Sequence, residues 1–281
     1  MTKSFKTFLK QAGKDYYNRT VNPPVVRAST LIFKSIEEIR KTQNKSIKDP
    51  IGGHFAYGRE GSSTIFALQK ILRTLEESYQ VFLAPTGFGS VFLAIFSVVR
   101  PGDEILLSDP IYSPTRLLTE NYLKEFNIKA NFYNPSNIND LKSKISKRTK
   151  LIFVENPGSN TFEFQDLSKI ISLAKKNKIF TAMDNTWGTP YFIKPIKLGF
   201  DMSIVAATKY YSGHSDVMGG SLAVNKRAFK YVEKANKVTG LRLSPDDAYL
   251  ITRGIRSLDV RLDKHQENAK KVANFLIRNQ K

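Results

Sequence analysis

Short apolar runs alternate with longer amphipathic stretches along most of the chain. Seven runs have the length and composition of buried strands: residues 80–83, 104–107, 129–133, 151–154, 179–183, 203–206 and 221–224. Helical patterns cover residues 90–99, 114–126 and 166–177, and another begins near residue 258. Continuous apolar strands joined by helices specify a sheet covered on both faces. The sequence therefore predicts an α/β fold, with a mostly parallel seven-stranded sheet flanked by helices.

The first 60 residues differ from the rest of the chain. They show little periodicity and contain turn-forming pairs such as Pro23-Pro24 and Gly52-Gly53. We therefore expect an N-terminal arm over residues 1–60 that wraps another molecule, followed by the main α/β domain over residues 61–257. Residues 258–281 are expected to begin a long helix that joins this domain to another, because no capping signal precedes Lys281.

Composition excludes several classes of protein. Of the 281 residues, 41% are hydrophobic and 25% charged, as in an ordinary globular protein. The chain has no cysteine, which rules out disulfides, thiolate metal sites and a cysteine nucleophile. Its three histidines lack metal-ligand spacing, so no metal is expected. We find no signal peptide and no apolar run long enough to span a membrane, and we expect a cytoplasmic protein without a membrane partner.

The formal charge of +19 raises the alternative of nucleic-acid binding. The basic residues are mostly lysines, spread along the chain and interrupted by acidic residues. No block of like charges and no nucleic-acid-binding motif occurs. We therefore favour a lysine-rich solvated surface and expect no nucleic-acid partner.

Small residues follow the first strand, in Thr86-Gly87-Phe88-Gly89-Ser90. Backbone N–H groups at such a helix start can face a phosphate. A dinucleotide-binding motif is a weaker alternative, because Phe92 stands where its third glycine would be. Asp109, at the end of the next strand, is the acidic residue that such a motif would need. A tight turn without a ligand is the remaining alternative.

Three more residues follow the ends of predicted strands, the region where ligands bind in such sheets. Asp184 could meet a cation or close an Asx turn. Lys209 could be a surface charge, but its apolar strand and aromatic neighbours predict a buried amine suited to Schiff-base chemistry. Tyr112 could stack on a planar ring or fill the edge of the sheet.

Taken together, these four features suit one cofactor. A phosphate-holding turn, a stacking aromatic ring, a carboxylate and a buried amine are the parts of a pyridoxal 5'-phosphate site. The amine binds the cofactor, and the carboxylate keeps its pyridine nitrogen protonated.

Several motifs resemble one family, the pyridoxal-phosphate enzymes of cysteine and methionine metabolism. The segment from Ala206 to Asp216 resembles its lysine signature. Similar motifs occur in the family's order from about residue 21 to the end: Tyr57-Gly58-Arg59, Asp184-Asn185-Thr186-Trp187 and Arg253-Gly254-Ile255-Arg256. Ala206-Ala207-Thr208-Lys209 is most similar to the bacterial branch that cleaves the Cβ–S bond of cystathionine. The resemblance implies the fold of the fold-type-I pyridoxal-phosphate transferases.

The resemblance also implies a role for each matching residue. Lys209 would bind the cofactor covalently and move protons, with Tyr112 stacked on the ring and Asp184 at the pyridine nitrogen. Gly87, Phe88 and Thr208 would hold the phosphate. Tyr57 and Arg59 would complete that site from a neighbouring subunit, in a homotetramer built from dimers. The implied catalytic residues are Lys209, Tyr112 and Tyr57.

The resemblance implies a lyase that converts cystathionine and water to homocysteine, pyruvate and ammonia in methionine biosynthesis. Two alternatives stay open: a γ-acting relative (cystathionine γ-lyase, cystathionine γ-synthase or methionine γ-lyase), and a cofactor-binding fragment without turnover. The second arises because the family's small C-terminal domain, with the arginine that binds the substrate carboxylate, has no counterpart here. Tyr211 replaces the family's usual aliphatic residue, which we expect to be harmless.

Overall fold

The computed structural model describes residues 4–14, 19–54 and 56–279. Its strands are β1 Gln80–Ala84, β2 Glu104–Ser108, β3 Lys129–Tyr133, β4 Thr149–Glu155, β5 Phe180–Asp184, β6 Met202–Ala206 and β7 Gly220–Val224. They form one sheet in the order β1-β7-β6-β5-β4-β2-β3. Strand β7 is antiparallel to β1 and β6, and the other four pairs are parallel. The predicted α/β fold and the mostly parallel seven-stranded sheet are confirmed.

Helices connect the strands and cover the sheet. They are α1 Phe5–Lys10, α2 Ile36–Lys48, α3 Ser63–Glu76, α4 Gly87–Val98, α5 Ser113–Leu117, α6 Leu123–Glu125, α7 Ile138–Lys144, α8 Leu167–Lys176, α9 Thr189–Phe192, α10 Pro195–Leu198, α11 Lys226–Thr239, α12 Pro245–Ile255 and α13 Leu258–Arg278. A 3₁₀ turn spans Gly58–Glu60, and a π-helical turn spans Leu118–Tyr122. Among the described residues, no helix is both long and apolar enough to cross a membrane.

Alternate side chains of the strands point to opposite faces of the sheet and pack into two layers of hydrophobic core. On one face, strand residues pack with α4 and α11. On the other face, those of β1, β6 and β7 pack with α3, α12 and the start of α13, while those of β2, β4 and β5 pack with α7 and α8. Both faces of the central strands are therefore buried, which explains why these strands are apolar at almost every position.

Several helix boundaries differ from the prediction. Helix α4 begins at Gly87 rather than residue 90, because the Thr86 side chain caps it by accepting the Gly89 N–H at 2.8 Å. The helix predicted over residues 114–126 is interrupted by the π-helical turn. Several helices were not predicted, among them α3, α7, α2, α11 and α12, although Ser35, Asn225 and Ser244 cap the last three.

The N-terminal segment packs partly on its own chain. Leu9 of α1 is fully buried, and Lys10 pairs with Asp259 of α13 at 2.6 Å. By contrast, α2 buries none of its residues. The boundary of a separate arm at residue 60 stays a prediction.

Burial of Glu76 makes stability depend on pH. This carboxyl is 1% exposed, and desolvation raises its pKa to about 7, against the hydrogen bonds of Tyr211 and Ser203. The folded chain therefore holds this proton more tightly than the unfolded chain. The resulting stability is complete below about pH 4.5 and is lost as the pH rises through about 7, a decline of about 3 kcal/mol.

We expect Glu76→Gln to remove this decline, because glutamine fills the same space without an ionisable group. Urea unfolding of wild type and variant at pH 5 and pH 8 measures it. The free energy of unfolding should fall further in the wild type than in the variant. Equal falls in the two proteins would show that Glu76 does not contribute the pH dependence.

Candidate active site

The start of helix α4 has two backbone donors without an acceptor among the described residues. The N–H groups of Gly87 and Phe88 lie in its first turn, where no intrahelical acceptor exists. The 12-residue helix also directs the positive end of its dipole toward this turn. The arrangement suits an anion, as predicted from the small residues here.

Helix α4 approaches β6 and β7 so closely that only small residues fit. A Cβ on Gly87 would lie 2.6 Å from the Cβ of Ala206, and a Cβ on Gly220 would lie 2.4 Å from the Thr86 carbonyl oxygen. The predicted phosphate turn and the end of β6 therefore meet. Ser90 Oγ is buried at this junction and has no hydrogen-bond partner among the described residues.

The turn after β6 is held by its own backbone. The Lys209 N–H donates to the Ala206 carbonyl at 3.1 Å, and the Gly213 N–H donates to the Lys209 carbonyl at 2.9 Å. Thr208 Oγ1 lies 3.2 Å from the Gly219 nitrogen, which donates to it. Gly219 precedes Gly220, which packs against the α4 start, so Thr208 is joined through Gly219 to the predicted phosphate site.

The prediction that Lys209 is buried is wrong for this chain. Lys209 is exposed. Tyr211 is fully buried, whereas Tyr210 is only partly buried and packs on His265. Because the chain turns beyond β6, the apolar neighbours face the core while the lysine faces outward. The desolvation expected from sequence is therefore not provided by this chain.

Asp184 is linked to the Lys209 turn through Thr186. Its Oδ1 accepts from the Thr186 N–H at 3.0 Å and from Thr186 Oγ1 at 2.6 Å, as in the Asx turn considered above. Thr186 Oγ1 in turn accepts the Ala206 N–H at 2.9 Å. In the described part of the chain, Oδ2 accepts no hydrogen bond. Burial raises the pKa of Asp184, and the Thr186 bonds oppose that rise.

A second carboxyl, Glu155, lies beside Asp184 and was missed in the sequence. The two residues are partners at the ends of β4 and β5. Burial, and next the charge of Asp184, raise the pKa of Glu155. The signal was present, because Glu155 ends an apolar strand just as Asp184 does.

Glu155 also fixes the backbone of Tyr112. Its Oε2 accepts the Tyr112 N–H at 2.7 Å, and its Oε1 accepts from Ser159 Oγ at 2.5 Å. The Tyr112 side chain itself is 48% exposed. Its ring is therefore accessible for stacking on a ligand, while its backbone is anchored to Glu155.

Tyr57 and Arg59 are held elsewhere on the chain. Both are exposed, and Arg59 donates to the Lys237 carbonyl near the end of α11 at 3.2 Å. The Arg59 carbonyl accepts from Arg242. None of these contacts involves the α4 start, so the roles of Tyr57 and Arg59 in a neighbouring subunit stay a prediction.

The residues brought together fit pyridoxal phosphate. The free N–H groups of Gly87 and Phe88 and the close approach at Ala206 suit a phosphate, and Asp184 keeps one oxygen available for a ring nitrogen. Lys209 supplies an accessible amine. Within the described residues, no group of three His, Cys, Asp or Glu side chains could hold a metal.

The model of the Cys/Met metabolism PLP-dependent enzyme family matches residues 6–281. The chain belongs to this family. A cystathionine β-lyase of Haemophilus influenzae is 37% identical over 94% of the chain and 66% of the relative. An L-alanine/L-glutamate racemase of Wolbachia pipientis is 32% identical over 98% of the chain and 70% of the relative.

A solved cystathionine γ-lyase of Lactobacillus plantarum, in complex with L-serine, is similar throughout. It superposes with a TM-score of 0.88 at 27% identity, covering 98% of this chain and 69% of that one. The chain spans about two thirds of the length of these proteins. Membership of the family establishes pyridoxal phosphate as the cofactor and the fold-type-I architecture.

Proposed function

We propose that this chain is a pyridoxal-phosphate-dependent carbon–sulfur lyase, and that its substrate is cystathionine. One observation carries the proposal: the α4 start packs on the end of β6, and Thr186 joins that same end to Asp184. An anion site, a carboxylate and an accessible lysine therefore share one edge of the sheet. The similarity to a cystathionine β-lyase supports the choice of substrate.

The residues divide the work of holding the cofactor and moving protons. The N–H groups of Gly87 and Phe88, with the Thr208 hydroxyl, would hold the phosphate, and Tyr112 would stack on the ring. Bound pyridoxal phosphate supplies an electron sink for the bonds at Cα. Asp184 would pair with the ring nitrogen and would stabilise its proton by charge.

Lys209 is the proton carrier. Its amine removes the proton from the substrate Cα and later protonates the sulfur that leaves Cβ. Cystathionine and water thereby give homocysteine, pyruvate and ammonia. Loss of sulfur from Cγ, the γ-acting alternative, would give 2-oxobutyrate instead.

Product analysis tests this function. Purified chain is incubated with pyridoxal phosphate and cystathionine, and the products are separated. We expect pyruvate and homocysteine at equal amounts. Formation of 2-oxobutyrate would show a γ-acting enzyme instead of a β-lyase. A chain that binds the cofactor but forms no keto acid would be a fragment without turnover.

Racemisation is a second candidate function, favoured by the similarity to the Wolbachia racemase. It needs removal of the Cα proton from one face, which Lys209 can perform, and delivery of a proton to the opposite face by a second donor. The same incubation with L-alanine or L-glutamate, followed by chiral chromatography, measures it. Accumulation of the D-isomer without keto acid would favour the racemase over the lyase.

We also propose a homotetramer built from dimers, in the cytoplasm. The exposed Tyr57 and Arg59 and the unburied helix α2 support contact with another subunit. Light scattering of the purified chain tests the assembly, and a monomer would contradict it. Independence from nucleic acid stays a prediction, which DNA binding that weakens steeply with salt would overturn.

A further inference from the structure

A buried polar cluster lies beneath the Lys209 turn. It consists of Glu76 at the end of α3, Ser203 of β6 and Tyr211, each at most 1% exposed. The Tyr211 hydroxyl donates to Glu76 Oε1, and Ser203 Oγ donates to Oε2, both at 3.1 Å. Each carboxyl oxygen thus holds a different part of the chain.

The two parts are the segments that enter and leave the turn. Ser203 lies on the strand that leads into it, and Tyr211 follows Lys209 by two residues. Helix α12 confines the turn from another side, because a Cβ on Gly254 would lie 2.3 Å from the Tyr211 carbonyl oxygen. Glu76 therefore ties together both flanks of the segment that carries Lys209.

The cluster is costly to bury. Desolvation raises the pKa of Glu76, and the cation that affects it, Lys194, forms its ion pair with Glu77 instead. Apolar side chains of similar size would fill the same space without this cost. The Tyr211 ring already packs within the core, so packing alone does not require its hydroxyl. The hydrogen bonds must therefore be explained by what they hold in place.

We propose that Glu76 is a positioning residue for Lys209, and that it acts by holding Ser203 and Tyr211 on either side of the Lys209 turn. This inference rests on the proposed function for the role of Lys209. It assigns a purpose to Tyr211, which was expected to be a harmless replacement.

Hydrogen exchange and cofactor binding test the proposal in the full chain. In Tyr211→Phe, the turn amides of Lys209, Ser212 and Gly213 should exchange about threefold to tenfold faster, the effect of one lost hydrogen bond. Lys209 should also condense with added pyridoxal phosphate about threefold more slowly, or slower still, as measured by visible absorbance. Neither measurement requires turnover.

Tyr133→Phe is the matched control. Tyr133 is also a buried tyrosine, and its hydroxyl donates to Gln165 at 2.7 Å. It lies on β3, which is four strands away from β6 in the sheet. Tyr133→Phe should lower the melting temperature about as much as Tyr211→Phe does. It should leave the exchange rates of the turn amides and the rate of condensation unchanged. Equal changes at the turn in both variants would overturn the proposal.

Two substitutions of Glu76 sharpen the result. Glu76→Gln keeps a polar group at both oxygen positions and should preserve slow exchange in the turn, whereas Glu76→Met should lose it. Slow exchange of the turn amides in Glu76→Met as well as in Glu76→Gln would also overturn the proposal. If Tyr211→Phe does not fold, Ser203→Ala carries the same expectation. A chain that passes these tests but forms no keto acid would contradict the lyase function alone.

Discussion

Lys209→Ala is expected to reduce keto-acid formation from cystathionine by about 10²- to 10⁴-fold, the usual contribution of a positioned general base. The variant should also lose the absorbance of covalently bound pyridoxal phosphate. Because Lys209 is exposed, its removal should change the free energy of unfolding by no more than about 0.5 kcal/mol. Loss of function would therefore occur in a folded chain.

Lys230→Ala provides the control for Lys209→Ala. Lys230 is an exposed lysine on α11, and its removal changes the net charge equally. This variant should keep wild-type absorbance and wild-type product formation. If Lys209→Ala behaved in the same way, the proton-transfer role would belong to another residue.

Gly87→Ala should weaken cofactor binding by about tenfold to hundredfold. The added Cβ would lie 2.6 Å from the Cβ of Ala206, and the clash pushes the α4 start away from the Lys209 turn. Overpacking of this kind costs about 1–3 kcal/mol, and about 1.4 kcal/mol corresponds to a factor of ten. Titration with pyridoxal phosphate gives the dissociation constant.

Gly89→Ala is a matched comparison in the same turn of α4. Its added Cβ would come no closer than 3.2 Å to another heavy atom, the Oγ1 of Thr86. Alanine also suits a helix better than glycine does. We therefore expect cofactor affinity within about twofold of wild type. Equal losses in both variants would show that the contact with Ala206 is not what shapes the anion site.

The arrangement of the main residues was largely predictable from sequence. Asp184 and Lys209 follow apolar runs, and the carboxyl ends of parallel strands meet at one edge. The strands themselves could be located because they are buried on both faces, which leaves continuous apolar runs. Local patterns were therefore sufficient to place this edge of the sheet.

Other features depend on contacts between distant parts of the chain. Glu155 ends an apolar run as Asp184 does, but its position beside Asp184 follows from the pairing of β4 with β5. The Glu76–Tyr211 contact joins residues 135 positions apart. The exposure of Lys209 was mispredicted because neighbours in sequence do not reveal which way a side chain faces after a turn. The start of α4 was predicted at residue 90 rather than at Gly87, because glycines disfavour a helix. In the structure, the Thr86 cap stabilises the earlier start.

The central claim is that Lys209 is the amine that takes up pyridoxal phosphate. Wild-type chain is loaded with the cofactor, reduced with borohydride, digested and mapped by mass spectrometry. We predict one pyridoxyl group per chain, on the peptide that contains Lys209. A label distributed over other lysines, with the Lys209 peptide unmodified, would contradict the account.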